Sequence, residues 1–244
     1  ELNDLLNAAE REWAKRNFKT AIFIAEAVME ETVEALQYLD DSSGYFGEAI
    51  EQSYNLLHKI ARTNLPEEIR VLVLDSCFSS FQKKIYSGWD WHMGMLLIAS
   101  ELVKTKEDQQ RIFDFLDGVN GSDYDRACAE RITYDLFLKF KGQQAAEDYL
   151  ERHLHNSSLR RMAIQKEFEQ NNFEKARSLA LDGVNCDLKE KPGLAKEWYD
   201  WLLKIAQLEE DTPKIIDYAR LLFITNYRSD KDYYQILKDH VNPE

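Results

Sequence analysis

Apolar and small residues recur along the chain at spacings of three and four positions, the period of one helix face. Four segments share the offsets 0, 4, 7 and 8. They are Ala21, Ala25, Val28 and Met29; Ala146, Leu150, His153 and Leu154; Ala176, Ala180, Gly183 and Val184; and Ile215, Ala219, Leu222 and Phe223. Because an α-helix has about 3.6 residues per turn, each set lies on one face. Small residues in the first slots predict that a partner helix approaches closely.

The two strongest copies each follow a short polar turn. Residues 12–21 and 167–176 both end one helix near an aromatic residue, turn at an Asn-Phe pair and begin a second helix on a small residue. Asn tolerates the left-handed conformation that ends many helices, so we expect the chain to turn at Asn17 and Asn172. Phe18 and Phe173 are expected to lie between the paired helices. A repeated helix–turn–helix unit indicates a helical-repeat protein.

The same reading along the whole chain predicts only helices. Predicted spans are 2–16, 18–39, 44–62, a helix from the start signal at 64–68 to about 87, then 89–104, a short helix to 116 from a capping box at 105–108, and 123–141, 144–154, 157–170, 173–184, 193–209, 213–226 and 230–241. No segment has strand-like alternation. The sequence therefore predicts an all-α superhelix of tetratricopeptide-like hairpins, about twelve or thirteen helices, as one domain over 1–244. A subdivision into 1–120 and 121–244 is left open.

Charge and cysteine content narrow the function classes. The formal net charge is −13, and a surface this acidic repels phosphate, so the segment is a poor candidate for direct nucleic-acid binding. Cys77, Cys128 and Cys186 are odd in number and far apart, which indicates free thiols in a reducing compartment. No apolar run approaches the roughly 20 residues of a membrane helix. We expect a cytoplasmic protein without a membrane partner.

Catalytic and metal-binding motifs are missing from the sequence. It has no phosphate-binding Gly-rich loop, no Gly-x-Ser-x-Gly turn and no His-Glu-x-x-His pair. His153 and His155 lie two apart, which on a helix separates them by about 200°. They therefore do not chelate one metal unless the helix has ended. The sequence predicts a non-enzymatic protein with no cofactor and no metal site.

Two clusters of large rings are the candidate binding residues. One contains Trp89, Trp91 and His92 at a helix start; the other contains Trp198, Tyr199 and Trp201 within a helix. Neighbouring rings at such spacings do not all point inward, so part of each cluster is expected to be exposed. Exposed tryptophan is a typical anchor of protein interfaces. We therefore predict that these six residues include a partner-binding surface.

Several stretches resemble known families. The starts at Asn17 and Asn172 are similar to those of second helices in tetratricopeptide-type repeats. A longer resemblance, carried by residues 88–91, 154–180, 193–198 and 232–238, is to the helical region downstream of the zinc finger in bacterial SWIM zinc-finger proteins. The Cys-x-Cys and Cys-x-His pairs of that finger are absent here, so its metal site is not carried over.

The resemblance to SWIM zinc-finger proteins implies a scaffold that is part of a longer protein. Its partner would be another protein or its own upstream domain. The alternative is an accessory module of a nucleic-acid-binding protein whose zinc finger lies upstream of this chain.

Overall fold

The computed structural model describes residues 2–225 and 231–241, and over these residues the chain forms thirteen helices and no strand. The first seven are α1 Leu2–Ala14, α2 Phe18–Ala35, α3 Tyr45–Ala61, α4 Glu67–Gln82, α5 Trp91–Leu102, α6 Lys106–Asp117 and α7 Asp123–Phe140. The others are α8 Gln143–Arg152, α9 Ser157–Glu169, α10 Phe173–Asp187, α11 Pro192–Leu208, α12 Thr212–Thr225 and α13 Lys231–His240. The predicted all-α, helical-repeat class is confirmed.

The chain divides into two compact units, Glu1–Leu136 and Phe137–Glu244, with the boundary inside α7. In the first unit α1 packs on α2, α2 on α3, and α4 on α5. In the second unit α9, α10, α11, α12 and α13 pack consecutively. Packing between sequence neighbours is the arrangement expected of helical repeats, in which each helix buries its apolar face on the next.

One turn geometry recurs where helices of a pair meet. Arg16, Asn171 and Glu210 have positive φ values of 61°, 62° and 56°. In each case the next amide N–H donates to the carbonyl five residues back, as from Asn17 to Glu12 (2.9 Å) and from Asn172 to Glu167 (2.8 Å). This bond satisfies a carbonyl at the helix end, and the next helix begins at once.

The left-handed residue is not the one predicted. Asn17 and Asn172 have φ of −82° and sit one position after it. Their side chains instead donate hydrogen bonds back to the preceding helix, from Nδ2 of Asn17 to Oε2 of Glu12 (2.7 Å) and from Nδ2 of Asn172 to Oε2 of Glu167 (2.9 Å). The asparagines therefore stabilise the turn through their amide groups rather than through an unusual backbone conformation.

Most residues of the predicted apolar stripes are buried between paired helices, but His153 and Leu154 are half-buried and Phe223 is 37% exposed. Ala21, Ala25, Ala176 and Ala180 are fully buried, which allows the backbones of neighbouring helices to approach closely. Phe18 and Phe173 are only half-buried, in contrast to the expectation that both rings fill the space between helices. Each ring therefore lies at the margin of its helical pair, α1–α2 for Phe18 and α9–α10 for Phe173, and is partly exposed.

Candidate functional site

The first aromatic cluster lies where the connection from α4 enters α5, with Trp89 on the connection and Trp91 and His92 as the first residues of α5. The predicted helix to about residue 87 ends at Gln82, because Lys84 adopts a left-handed conformation (φ 57°) and the amide of Ile85 donates to the carbonyl of Ser80 (3.2 Å). Gly88 also has positive φ (89°), which favours glycine. Trp89 follows the turn formed by residues 84–88, directly ahead of α5, and its side chain is exposed.

Trp89 is the exposed member of a stacked pair. Its side chain is 46% exposed, and its ring lies 5.4 Å from that of Trp91 with an interplanar angle of 27°. Trp91 is half-buried, and its Nε1 donates to Oε2 of Glu51 on α3 (3.0 Å). Trp89 is therefore stacked on an indole that is itself held by a hydrogen bond, and nearly half of the Trp89 side chain remains exposed.

His92 points into the same region and is held by stacking. Its ring lies 4.3 Å from that of Phe81 at an interplanar angle of 12°. Burial, together with the charge of Lys84, lowers the pKa of His92, although Asp125 opposes the shift. The ring is therefore neutral near pH 7. Its Nδ1 is buried and has no hydrogen-bond partner.

A cleft of about 840 Å³ in the first unit is lined by Phe81, Trp89 and His92 among others, and we call it the aromatic cleft. Phe81 and Phe115 contact each other edge to face at 5.7 Å and lie inside it, while Trp89 and Tyr124 (48% exposed) stand at its surface. Its charged lining consists of Asp90, Asp114, Asp125 and Lys84. An apolar interior with a few charged groups at the edge is typical of ligand-binding clefts.

A second cavity of about 670 Å³ adjoins the first. The two share Gln82, Asp114 and Phe115, and the second continues between α4 and α6 toward Phe78 and Arg111. Phe78 stacks on Phe115 at 4.9 Å, so aromatic rings continue from one cavity into the other. Together the two cavities form one groove, which we call the α4–α6 groove.

The second predicted cluster is mostly core. Trp198 is fully buried, and its Nε1 donates to Oδ2 of Asp187 (2.7 Å). A side chain at Gly183 would lie only 2.8 Å from this indole, so the absence of a side chain there creates the space that Trp198 fills. We therefore withdraw Trp198 from the partner-binding candidates.

Tyr199 and Trp201 also contact other aromatic residues. Tyr199 lies 6.2 Å from Tyr218, and Trp201 lies 5.4 Å from Phe168 in a T-shaped arrangement. Both side chains are half-buried. The structure thus separates two clusters that look alike in sequence: the first borders an open cleft and the second fills a helix interface.

Sequence reasoning missed several residues of the aromatic cleft. Phe81 and Phe115 lie within α4 and α6 and gave no signal of their own, while Tyr124, at the start of α7, lines the cleft together with residues at the start of α5. Asp90 lies between Trp89 and Trp91 in the sequence, but nothing in the sequence indicated that its carboxylate lines a cleft. Its carboxylate does not cap α5.

The histidines and cysteines outside the aromatic cleft do not assemble into a metal site. No group of three or more His, Cys, Asp or Glu side chains within 2–225 and 231–241 is arranged to hold a metal ion. His153 follows the end of α8 and stacks on Tyr149 at 3.9 Å. Burial raises the pKa of the Cys77 thiol. Over the same residues, no helix has the length and apolar character needed to cross a membrane.

Comparison with known proteins does not assign this arrangement. No protein-family model, no curated protein and no solved structure matches the chain. The geometry of the aromatic cleft is therefore the basis on which a function is assigned below.

Proposed function

We propose that this chain is a non-enzymatic helical-repeat scaffold that binds another protein through the aromatic cleft. The observation that supports this proposal is the position of Trp89: half-exposed, stacked on Trp91 and standing beside a cleft of about 840 Å³. Tryptophan is the residue type most enriched among those that dominate binding energy at protein interfaces.

The support behind Trp89 strengthens this interpretation. Trp91 is hydrogen-bonded to Glu51, so the stacked pair is held in place before any partner arrives. A side chain that is already ordered loses little conformational entropy on binding, and more of its contact energy then contributes to affinity. Tyr124, also half-exposed, extends the ring surface on the α7 side.

The proposal extends to the context of the chain. We propose that it is the helical part of a SWIM zinc-finger-type protein, where the partner is a separate protein or the finger-containing region upstream. The resemblance over residues 88–91, 154–180, 193–198 and 232–238 supports this assignment. A Cys-x-Cys followed by Cys-x-His in the coding sequence upstream would be the expected finding, and a complete upstream region without this pattern would contradict the assignment.

Photo-crosslinking tests the binding role directly. A photoreactive phenylalanine analogue is placed at Tyr124, and the chain is illuminated in an extract of its source cells with Trp89 intact, as Trp89→Ala or as Phe23→Ala. Phe23 on α2 is 71% exposed and is absent from the cleft lining, so it controls for loss of an exposed ring.

We expect a discrete crosslinked protein with the unmodified chain and with Phe23→Ala, and at least a severalfold lower yield with Trp89→Ala. Circular dichroism melts establish that all variants are folded. An unchanged yield with folded Trp89→Ala would contradict the assignment of the site.

A further inference from the structure

The shape of the α4–α6 groove indicates the form of its occupant. Its two cavities share Gln82, Asp114 and Phe115, and the groove runs from Trp89 and Tyr124 at one end to Asp75 and Arg111 at the other. A compact small molecule would fill only one of the cavities. An extended polypeptide, which rises about 3.3 Å per residue, can contact residues of both adjoining cavities.

The charges along the groove indicate the chemistry of its occupant. Three carboxylates, those of Asp90, Asp114 and Asp125, line the aromatic cleft, and within the described residues none of them forms an ion pair. Asp114 accepts from Nε2 of Gln110 (2.7 Å) and Asp125 from the amide of Ser122 (2.8 Å), both of which are neutral groups. Lys84 is the single cationic residue of the cleft lining. The cleft therefore has an excess of negative charge.

One end of the groove already contains a cation bound in the expected manner. The guanidinium carbon of Arg111 lies 4.7 Å from the centre of the Phe78 ring, and its Nη2 donates to Oδ1 of Asp75 (2.8 Å). An aromatic face and a carboxylate together hold this side chain. At the other end Trp89 provides an exposed face and Asp90 precedes α5, and no lysine or arginine in the described chain stacks on Trp89.

We infer that the occupant of the α4–α6 groove is an extended basic segment of a partner protein, with an arginine or lysine side chain on the exposed face of Trp89 and near Asp90, Asp114 or Asp125. The inference depends on the proposed function, because it specifies the partner of the same cleft. Apolar side chains of the segment would contact Phe81 and Phe115, whose rings line the groove.

A random octapeptide library displayed on phage tests this inference, because it assumes no particular partner sequence. The library is selected on the chain and counter-selected on Trp89→Ala, so that recovered peptides depend on the cleft. The most enriched peptide is then synthesised with a fluorescent label, together with an analogue in which citrulline replaces each arginine and norleucine each lysine. Binding is measured by fluorescence anisotropy.

We expect arginine or lysine at one or more fixed positions of the selected peptides. The neutral analogue should bind about tenfold or more weakly, since it loses both the ring contact and the carboxylates. Asp90→Asn with Asp114→Asn should weaken binding of the basic peptide by a similar factor, and increasing salt should weaken it further because the charges are exposed.

A matched variant separates local charge from the overall acidity of the chain. Glu31→Gln with Asp182→Asn removes two exposed carboxylates that do not line the groove and leaves the same net charge as the test variant. The inference requires that this control variant bind the basic peptide as tightly as the unmodified chain. Equal weakening by the two double variants would overturn it.

Other outcomes distinguish this inference from the proposed function. Selection of purely apolar or acidic peptides that still depend on Trp89 would overturn the basic partner and leave a protein-binding cleft. Trp89-dependent binding of a labelled single-stranded oligonucleotide, with no peptide selected, would overturn both and favour nucleic-acid recognition. Failure to select any peptide, while the Trp89-dependent crosslink persists, would overturn the extended segment alone.

Discussion

Arg70 and Asp108 form a buried ion pair in the first unit, with Nη1 of Arg70 donating to Oδ2 of Asp108 over 2.9 Å. Burial alone would raise the pKa of Asp108, but hydrogen bonds from the backbone at Thr105 and Lys104 and the charge of Arg70 hold that pKa below its usual value. Because Asp108 also completes the predicted capping box with Thr105, the pair joins α4 to the start of α6. It therefore fixes one side of the groove relative to the other.

Removing one partner of this pair should strongly destabilise the protein. Asp108→Ala removes the buried carboxylate that offsets the charge of the Arg70 guanidinium. We expect the free energy of unfolding to fall by about 3–5 kcal/mol. Urea unfolding at pH 7 measures it. Thr105→Ala, which removes the cap and keeps the ion pair, should cost about 1 kcal/mol.

Glu67 is the control for the same arginine. It accepts from Nη2 of Arg70 at 2.6 Å, but its side chain is 64% exposed, so Glu67→Gln should destabilise the protein much less than Asp108→Ala does. A cost for Asp108→Ala no larger than that for Glu67→Gln would contradict the assigned role of the buried pair.

Filling the space at Gly183 should also destabilise the second unit. A Cβ there would lie 2.8 Å from Cδ1 of Trp198, and the indole is also held by its bond to Asp187. Gly183→Ala should therefore lower the free energy of unfolding by about 1–3 kcal/mol, even though alanine favours helix. Gly193→Ala is the control, because a Cβ there meets nothing within 4 Å. If both variants melt at the same temperature, Trp198 is not packed as described.

A glycine at the left-handed turn between α1 and α2 should stabilise the protein. Arg16 has φ of 61°, a conformation that costs a residue with a side chain roughly 1 kcal/mol and costs glycine nothing. We expect Arg16→Gly to raise the free energy of unfolding by about 0.5–1 kcal/mol in urea titrations.

The neighbouring position tests the register of that turn. Asn17→Gly places glycine where φ is −82° and removes the hydrogen bond to Glu12, so it should destabilise the chain. The opposite order of the two variants would place the left-handed residue at Asn17.

His92 should make the first unit less stable as the pH falls. Because burial lowers the pKa of His92 in the folded chain, the unfolded chain binds the proton more readily below the ordinary value of about 6.5. The stability lost on acidification from pH 7 toward pH 5 should thus be smaller in His92→Asn than in the unmodified chain. Urea titrations of both proteins at several pH values measure the difference. Identical pH dependence would show that His92 does not titrate as inferred.

Local sequence determined the helices and most of their ends. Apolar residues three and four apart, a Thr-x-x-Asp capping box at Thr105 and polar turns at residues 16–17 and 171–172 act over a few residues each, so they are readable without the fold. The end of α4 was less predictable. Apolar residues continue past Gln82 to Ile85, and the left-handed residue there is a lysine, which gives no turn signal in sequence.

Only the tertiary structure decided which aromatic cluster is available to a partner. Trp89 and Trp198 stand in similar aromatic surroundings in sequence, yet one is half-exposed and the other fully buried. Trp198 is buried because Gly183, on the adjacent helix, leaves space for its ring, whereas Trp89 lies on a turn beside residues that α6 and α7 bring together. Burial depends on contacts between residues distant in the chain, and helical periodicity constrains only those within one element.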